Sequence, residues 1–296
     1  MVSLNSKGQE DDVKTIGTIL LILGIGALLA WAGSSHGATW QGIPVFAVCV
    51  LFSFGLNALV FVHAWVRQTE HFFDLTGSTT YVLVILLANA LTESDSARSI
   101  LLSLMVGAWA LRLGSFLFLR IRAAGGDPRF DNIRPHFLPF LRAWLLQGLW
   151  VVVTCGAALA AISSASAGGV DLALWVGSLV WAIGFTIEVT ADRQKSAFRA
   201  APGNRGRFIT TGLWAYSQHP NYLGEILLWL GVAIAAFPAL AGAALLTLVS
   251  PVFVYILLTR ISGIPLLDYR ARKLWGEDAA YQEYVARTPK LFPRPR

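Results

Sequence analysis

Apolar residues along this chain come in long blocks, separated by short polar stretches, and not at the alternating spacing of strands. Eight runs stand out: 16–31, 43–66, 77–92, 100–119, 143–163, 172–191, 222–237 and 239–259. A helix that crosses a bilayer needs roughly 20 apolar residues. The pattern therefore predicts an all-α, polytopic membrane helical bundle. Runs 77–92 and 222–237 are short, so either is expected as a tilted half-span or a kinked continuation of its neighbour, giving seven to eight transmembrane helices. The whole of 1–296 reads as a single integral membrane domain.

The densest polar stretch lies between the sixth and seventh runs, over 188–225: EVTADRQKSAFRAAPGNRGRFITTGLWAYSQHPNYLGE. Glu188, Asp192, Lys195 and Arg199 are spaced by four, three and four, so they share one face if the sixth helix continues past its apolar part. Gly203, Asn204 and Gly206 predict a turn, flanked by Arg205 and Arg207. A helix is expected to restart at HPNY, where Pro220 suits a first turn and the free backbone N–H groups face forward. Asn221 and Glu225 share a face of that helix.

Composition narrows the classes. With 55% hydrophobic residues, 14% charged residues and a mean hydropathy of +0.60, the chain is too apolar for an ordinary soluble domain. The net charge of +6 is gathered in particular loops rather than on a stripe, which argues against nucleic acid as partner. Residues 120–142 carry five Arg against two Asp, and 192–207 five cations against one Asp. With eight spans these loops fall on one side, which the positive-inside rule makes cytoplasmic, together with both termini. The expected location is an integral membrane one with these loops facing the cytoplasm. The first run is expected to stay as a span, because Glu10, Asp11 and Asp12 precede it and 34–37 makes a poor cleavage site. Cys49 and Cys155 sit in apolar runs and indicate neither disulfide nor thiolate chemistry. The glycines of the first run, Gly24, Gly26 and Gly33, follow no strand and read as helix packing rather than a dinucleotide fingerprint.

Candidate chemistry recurs upstream of the polar stretch. Glu70 and Asp74 stand four apart at the inner end of the second run, where they can serve as proton donor and orienter or simply as interfacial charges. Arg112 lies well inside the fourth run, where a cation is costly and usually faces a cavity or partner. Arg120 and Arg122 follow at snorkelling positions. The residues 268–296 form a basic, amphipathic tail, with Tyr269, Trp275, Tyr281 and Tyr284 suited to lying on the inner leaflet. Five scattered His without a ligand spacing give no metal site, and no G-x-S-x-G elbow is present. These features fit a pocket for an anionic nucleotide cofactor and an apolar substrate arriving from membrane lipid.

The segments ADRQKSAF, GNRGRFITTGLWAYSQHPNYLGEILLW, RISGIPLLD and YVARTPKLFP, with QTEHFFDLTGS and WALRLGSFLFLRI upstream, resemble the steroid 5-alpha-reductase superfamily, in particular its bacterial branch of membrane proteins. That resemblance implies a 188–225 cofactor-binding segment on the cytosolic side that holds NADPH. Asn221 and Glu225 would lie near the nicotinamide, Asp192 near the adenosine, and Arg112, Arg199 and Arg207 against the phosphates. Arg120, Lys195, Tyr216 and His219 complete the implied cofactor set. The implied reaction is reduction of a conjugated carbon–carbon double bond in a lipophilic, steroid-like enone, with Glu70, protonated, holding the substrate carbonyl. The second carbonyl donor of the superfamily, a Tyr, is replaced at its expected place by Trp109; Tyr81 or Asp74 can substitute. Gln218 stands where the branch usually has Arg, which would weaken cofactor binding if that Arg meets a phosphate. Isoprenylcysteine carboxyl methyltransferases and related lipid methyltransferases share a similar H-P-x-Y…G-E helix for S-adenosylmethionine, so methylation is the alternative.

Overall fold

The structure, a computed structural model, describes residues 2–93, 95–165 and 168–294, with side chains from residue 10 onward except those of 123 and 124. Eight helices in it are long and apolar enough to cross a membrane. The architecture is the all-α polytopic bundle that the block pattern predicts.

In order, α1 spans Val2–Gly33, α2 Val45–Arg67, α3 Phe73–Thr92, α4 Ala97–Ala124, α5 Phe137–Ile162, α6 Leu172–Ala200, α7 Pro220–Ala236, α8 Val249–Ile256, α9 Ile264–Trp275 and α10 Ala279–Arg287. Between α1 and α2 a two-residue hairpin pairs β1 (Thr39–Trp40) with β2 (Ile43–Pro44). Its turn, Gln41-Gly42, takes positive φ at both positions, as a tight hairpin requires. The second apolar run therefore becomes helical only from Val45.

The described chain divides into two compact units. One comprises 1–171 with 236–249, the other 172–235 with 250–296. In the first unit α5 is the central helix, packed against α1, α2, α3 and α4. Its residues from Val151 to Ile162 are all buried, and the small side chains of GAALAA let neighbours approach closely. Towards its other end Phe140 and Trp144 pack with Phe61, Ala64 and Phe130. A polar network ties the same helices together: Gln147 Nε2 donates to Asn57 Oδ1 at 2.9 Å and to the Phe73 carbonyl at 3.0 Å, and Asn57 Nδ2 donates to the Ser53 carbonyl at 2.8 Å. In an apolar medium each of these groups needs such a partner, so Gln147 sets α5 against the start of α3.

In the second unit α6 and α7 touch backbone to backbone. A Cβ on Gly184 would stand 2.5 Å from Leu228 N and 2.6 Å from Gly224 O, and one on Gly177 2.5 Å from Ala235 N and 2.6 Å from Gly231 O. Two glycine pairs, each seven residues apart along its helix, thus let α7 lie directly on α6. The last apolar run is expected to break at Pro238 and Pro251. It is irregular around Pro238, but Pro251 falls in the first turn of α8, where its missing N–H is harmless. The π-turn Leu257–Ile261 interrupts that segment instead.

Candidate functional site

Each unit carries one cluster of chemistry-bearing side chains. In the first unit it is built on the turn between α2 and α3 and on the loop after α4. Glu70 lies in that turn and is 3% exposed. Its Oε1 accepts the Asp127 N–H at 3.0 Å and its Oε2 accepts from Arg134 Nη1 at 2.5 Å. Gly126 makes this approach possible, since a Cβ there would stand 3.2 Å from Glu70 Oε1 at a φ of +157°. Asp127 in turn accepts from Arg129 Nε at 2.7 Å and from the Arg129 N–H at 3.0 Å. Arg129 Nη2 also lies 3.6 Å from Asp74 Oδ1.

Burial by itself would raise the Glu70 pKa, but the Asp127 amide and the Arg134 guanidinium outweigh it and hold the carboxyl below its ordinary range. Asp127 is lowered in the same way, burial being outweighed by its hydrogen bonds to Arg129 and by the positive field of Arg129 and Arg120. The expected state of Glu70 is thereby corrected. A protonated donor requires a carboxyl whose charged form is disfavoured, and here the charged form holds two donors. Glu70 is a paired carboxylate that fixes the 126–134 loop. Asp74 differs, because its Oδ2 is buried and has no hydrogen-bond partner among the described residues. Tyr81, also buried, stacks edge-on against Trp109 at 5.1 Å. Arg112, half-buried on α4, lies with its Cζ 5.6 Å from the centre of the Phe116 ring.

The second unit holds the other cluster. The sixth helix does continue past its apolar part: α6 runs to Ala200 and carries Asp192, Lys195 and Arg199, spaced to share one face. The chain then turns and docks back on α6 through Gly212–Ala215. Leu213 N–H donates to Gln194 Oε1 at 2.9 Å, and Trp214 Nε1 to the Ala191 carbonyl at 3.1 Å. Lys195 Nζ sits 4.4 Å above the Trp214 ring. The next helix, α7, begins at Pro220 as expected.

The tail packs its aromatic residues onto the rest of the second unit. Trp275, Tyr281 and Tyr284 gather around Phe208, with ring centres 5.7, 5.1 and 5.8 Å away. Tyr284 is 7% exposed and donates its hydroxyl to the Trp214 carbonyl at 2.8 Å. Trp275 Nε1 donates to the Gly206 carbonyl at 2.5 Å. Burial raises the Tyr281 and Tyr284 pKa values, so both hydroxyls are neutral donors at pH 7. Tyr269 alone of the four stays exposed, at 69%.

These aromatic residues close a cavity of about 250 Å³ within the second unit. Lys195, Arg199, Arg207 and Arg270 contribute its positive charge, Asp268 its only carboxylate among the lining residues, and Phe198, Phe208, Trp214, Trp275, Tyr281 and Tyr284 its flat walls. His219 also lines it, with Nε2 3.5 Å from Asp268 Oδ1. The structure thus brings together Lys195, Arg199, Arg207 and His219 of the sequence-predicted set. Asn221 and Glu225 sit on the first turns of α7 outside the cavity lining, and Tyr216, 53% exposed, lines a separate groove with the 285–290 segment. Glu70, Asp74, Tyr81, Arg112 and Arg120 all belong to the first unit. Asp268, Arg270 and the aromatic wall were not anticipated as site residues. Of these, Asp268 and Tyr284 lie in the RISGIPLLD and YVARTPKLFP segments, and Arg270, Trp275 and Tyr281 in the basic aromatic stretch between them. Gln218 lines the cavity, and its amide donates to the Thr288 and Val285 carbonyls at 2.5 and 3.3 Å, so it also ties down the tail.

A family model for DUF1295, described as a protein of unknown function, matches residues 60–288. The chain belongs to the DUF1295 family. It is a steroid 5-alpha-reductase-like family of membrane proteins, and the matched region contains both clusters. Among curated proteins, a "Probable O-methyltransferase ustE" of Ustilaginoidea virens is 32% identical over 120 residues, covering 35% of this chain and 42% of that protein. The match spans less than half of that relative's length. No solved structure matches the chain. DUF1295 membership makes a steroid reductase-like enzyme the superfamily-level expectation for this chain.

Proposed function

We propose that this chain is an NADPH-dependent membrane reductase of a conjugated carbon–carbon double bond in a steroid-like or other lipophilic enone, with its cofactor site on the cytoplasmic side. The observation that supports it is the cavity of the second unit. Four cations facing one carboxylate, between aromatic walls, suit a ligand that combines several phosphate charges with a flat ring. Arg199, Arg207, Lys195 and Arg270 would meet the phosphates, and the Phe208, Trp275 and Tyr281 faces would take a base. Asp192, Tyr216, His219, Asn221 and Glu225 complete the proposed cofactor set within this unit. When bound, NADPH supplies the hydride.

The remaining work for the chain is to orient the enone and to stabilise charge as it grows on the carbonyl oxygen, which a pre-positioned hydrogen bond does best. In the first unit Asp74 Oδ2 is buried without a hydrogen-bond partner among the described residues and can donate to a carbonyl when it carries a proton, whereas both Glu70 oxygens already accept hydrogen bonds. We therefore assign the carbonyl contact to Asp74, keep Glu70 as its orienting neighbour, and place Tyr81 in the wall beside it. Asp74→Asn is expected to lower turnover of a test enone about 100-fold while leaving NADPH affinity within about twofold. Equal losses in both would remove Asp74 from the chemistry.

Methylation from S-adenosylmethionine is the second reading, favoured by the printed name of the Ustilaginoidea virens relative. That cofactor has a sulfonium and no phosphate, which leaves the four cations without a ligand of matching charge. Thermal unfolding of the detergent-purified chain with NADPH, NADH and S-adenosylmethionine separates the two. NADPH at about 100 times its Kd is expected to stabilise the chain by about 2.7 kcal/mol. Arg199→Ala and Arg207→Ala should each weaken that affinity at least tenfold, corresponding to about 1.5 kcal/mol or more for a charge-assisted bond. Stabilisation by S-adenosylmethionine alone would replace the reductase reading with the methyltransferase one.

A further inference from the structure

The segment 288–291 is strapped across the entrance to α7 by contacts that all involve the residues just before Pro220. The Gln218 N–H donates to the Pro289 carbonyl at 2.9 Å, the Gln218 amide to the Thr288 carbonyl at 2.5 Å, and Ser217 Oγ to the Lys290 carbonyl at 3.4 Å. Thr288 and Leu291 are buried, which anchors the strap at both ends. From between them Lys290 reaches Asp268 Oδ2 at 2.5 Å. The other oxygen, Oδ1, faces His219 Nε2 at 3.5 Å, and the His219 ring lies parallel to that of Tyr222 at 5.6 Å.

Asp268 is the one carboxylate among the groups that line the cationic cavity. Left to itself it would repel an anionic ligand and would be free to swing towards Arg270 or Arg199. An ammonium on its far oxygen removes both effects. Lys290 is not among the residues that line the cavity, but its ion pair is to Asp268, which is.

We propose that Lys290 is a positioning residue. It neutralises Asp268, holds it against His219, and so keeps the cavity selective for a polyphosphate anion. The inference rests on the cofactor reading above for the identity of the ligand, but the strap itself can be tested without one.

The experiment measures Kd for NADPH and for inorganic pyrophosphate on the full chain, together with the rate of tryptic cleavage after Arg287. Lys290→Ala is expected to raise both Kd values at least tenfold and to speed cleavage at Arg287, and Lys290→Arg to retain the wild-type values. Adding Asp268→Asn to Lys290→Ala should recover most of the affinity without restoring resistance to trypsin, an outcome that a merely structural lysine would not produce. Unchanged affinity in Lys290→Ala, or a loss that Asp268→Asn leaves in place, overturns the proposal. A wild-type chain that binds pyrophosphate but not NADPH overturns the cofactor reading and leaves the Lys290 comparison to be read on pyrophosphate. If it binds neither probe, the charge role falls with the cofactor reading, and cleavage at Arg287 that is no faster in Lys290→Ala removes the strap as well.

Discussion

Arg134→Ala is expected to destabilise the first unit by about 3 kcal/mol, the lower end of the range for stripping the partner from a buried charge, and Glu70→Gln by about 1.5 kcal/mol. The asymmetry follows from burial. The Glu70 side chain is 1% exposed, whereas that of Arg134 is 30% exposed. Removing the arginine leaves a carboxylate inside with the Asp127 N–H as its remaining hydrogen-bond donor in the cluster. Removing the carboxylate leaves a guanidinium that can turn to water, with Asp131 3.7 Å away. Unfolding midpoints in one detergent, measured for both variants and the double variant, check the order; a larger effect for Glu70→Gln would contradict it.

The same pair sets a pH dependence. The Glu70 pKa is lower in the folded chain than in the unfolded one, so its contribution is fully present above the unfolded value, about 4.3. It is lost as the pH falls through the folded value. Asp127 acts with the same sign. Acidification below about pH 4.3 should therefore lower the wild-type midpoint more steeply than that of Glu70→Gln. Parallel curves would show that folding does not lower the Glu70 pKa.

Spans are legible in this sequence because a bilayer demands uninterrupted apolar blocks, and α2 to α7 fall where the blocks lie. The restart at Pro220 is legible for a local reason, the fitness of proline for a first turn, and the three-and-four spacing of charges gives the shared face of α6 once the helix is known to run to Ala200. Other features depend on contacts distant in sequence. Trp275, Tyr281 and Tyr284 read in the sequence as an amphipathic face, and nothing local shows that they meet Phe208. Glu70 near a membrane suggests a neutral acid until Arg134, 64 residues on, is seen to hold it charged. Gln218 stands out as the place of a usual Arg, and nothing local shows that its own partners are carbonyls about 70 residues later.

The glycines of α6 and α7 are the least legible feature and carry the largest expected effect. Gly224 precedes Glu225 in the HPNYLGE motif, and its reason is steric: a Cβ there would stand 2.5 Å from Glu188 N and 2.6 Å from Gly184 O. Gly231, two turns on, would meet Trp181 N and Gly177 O at the same distances. Backbone cannot rotate aside as a side chain can, so the helices must part. Gly224→Ala and Gly231→Ala are each expected to destabilise the second unit by about 3 kcal/mol, the upper part of the usual range for overpacking. Their consequences for function should differ. Gly224 lies one turn from Pro220, so parting the helices there moves the start of α7, and with it His219 and Asn221, away from the Glu188–Arg199 face of α6. Gly231 lies far enough along α7 for the same displacement to fade before it reaches His219. NADPH affinity should fall at least tenfold in Gly224→Ala and less than threefold in Gly231→Ala at comparable loss of stability. Equal affinity losses would mean that the crossing as a whole, rather than its end at the motif, positions the cofactor residues.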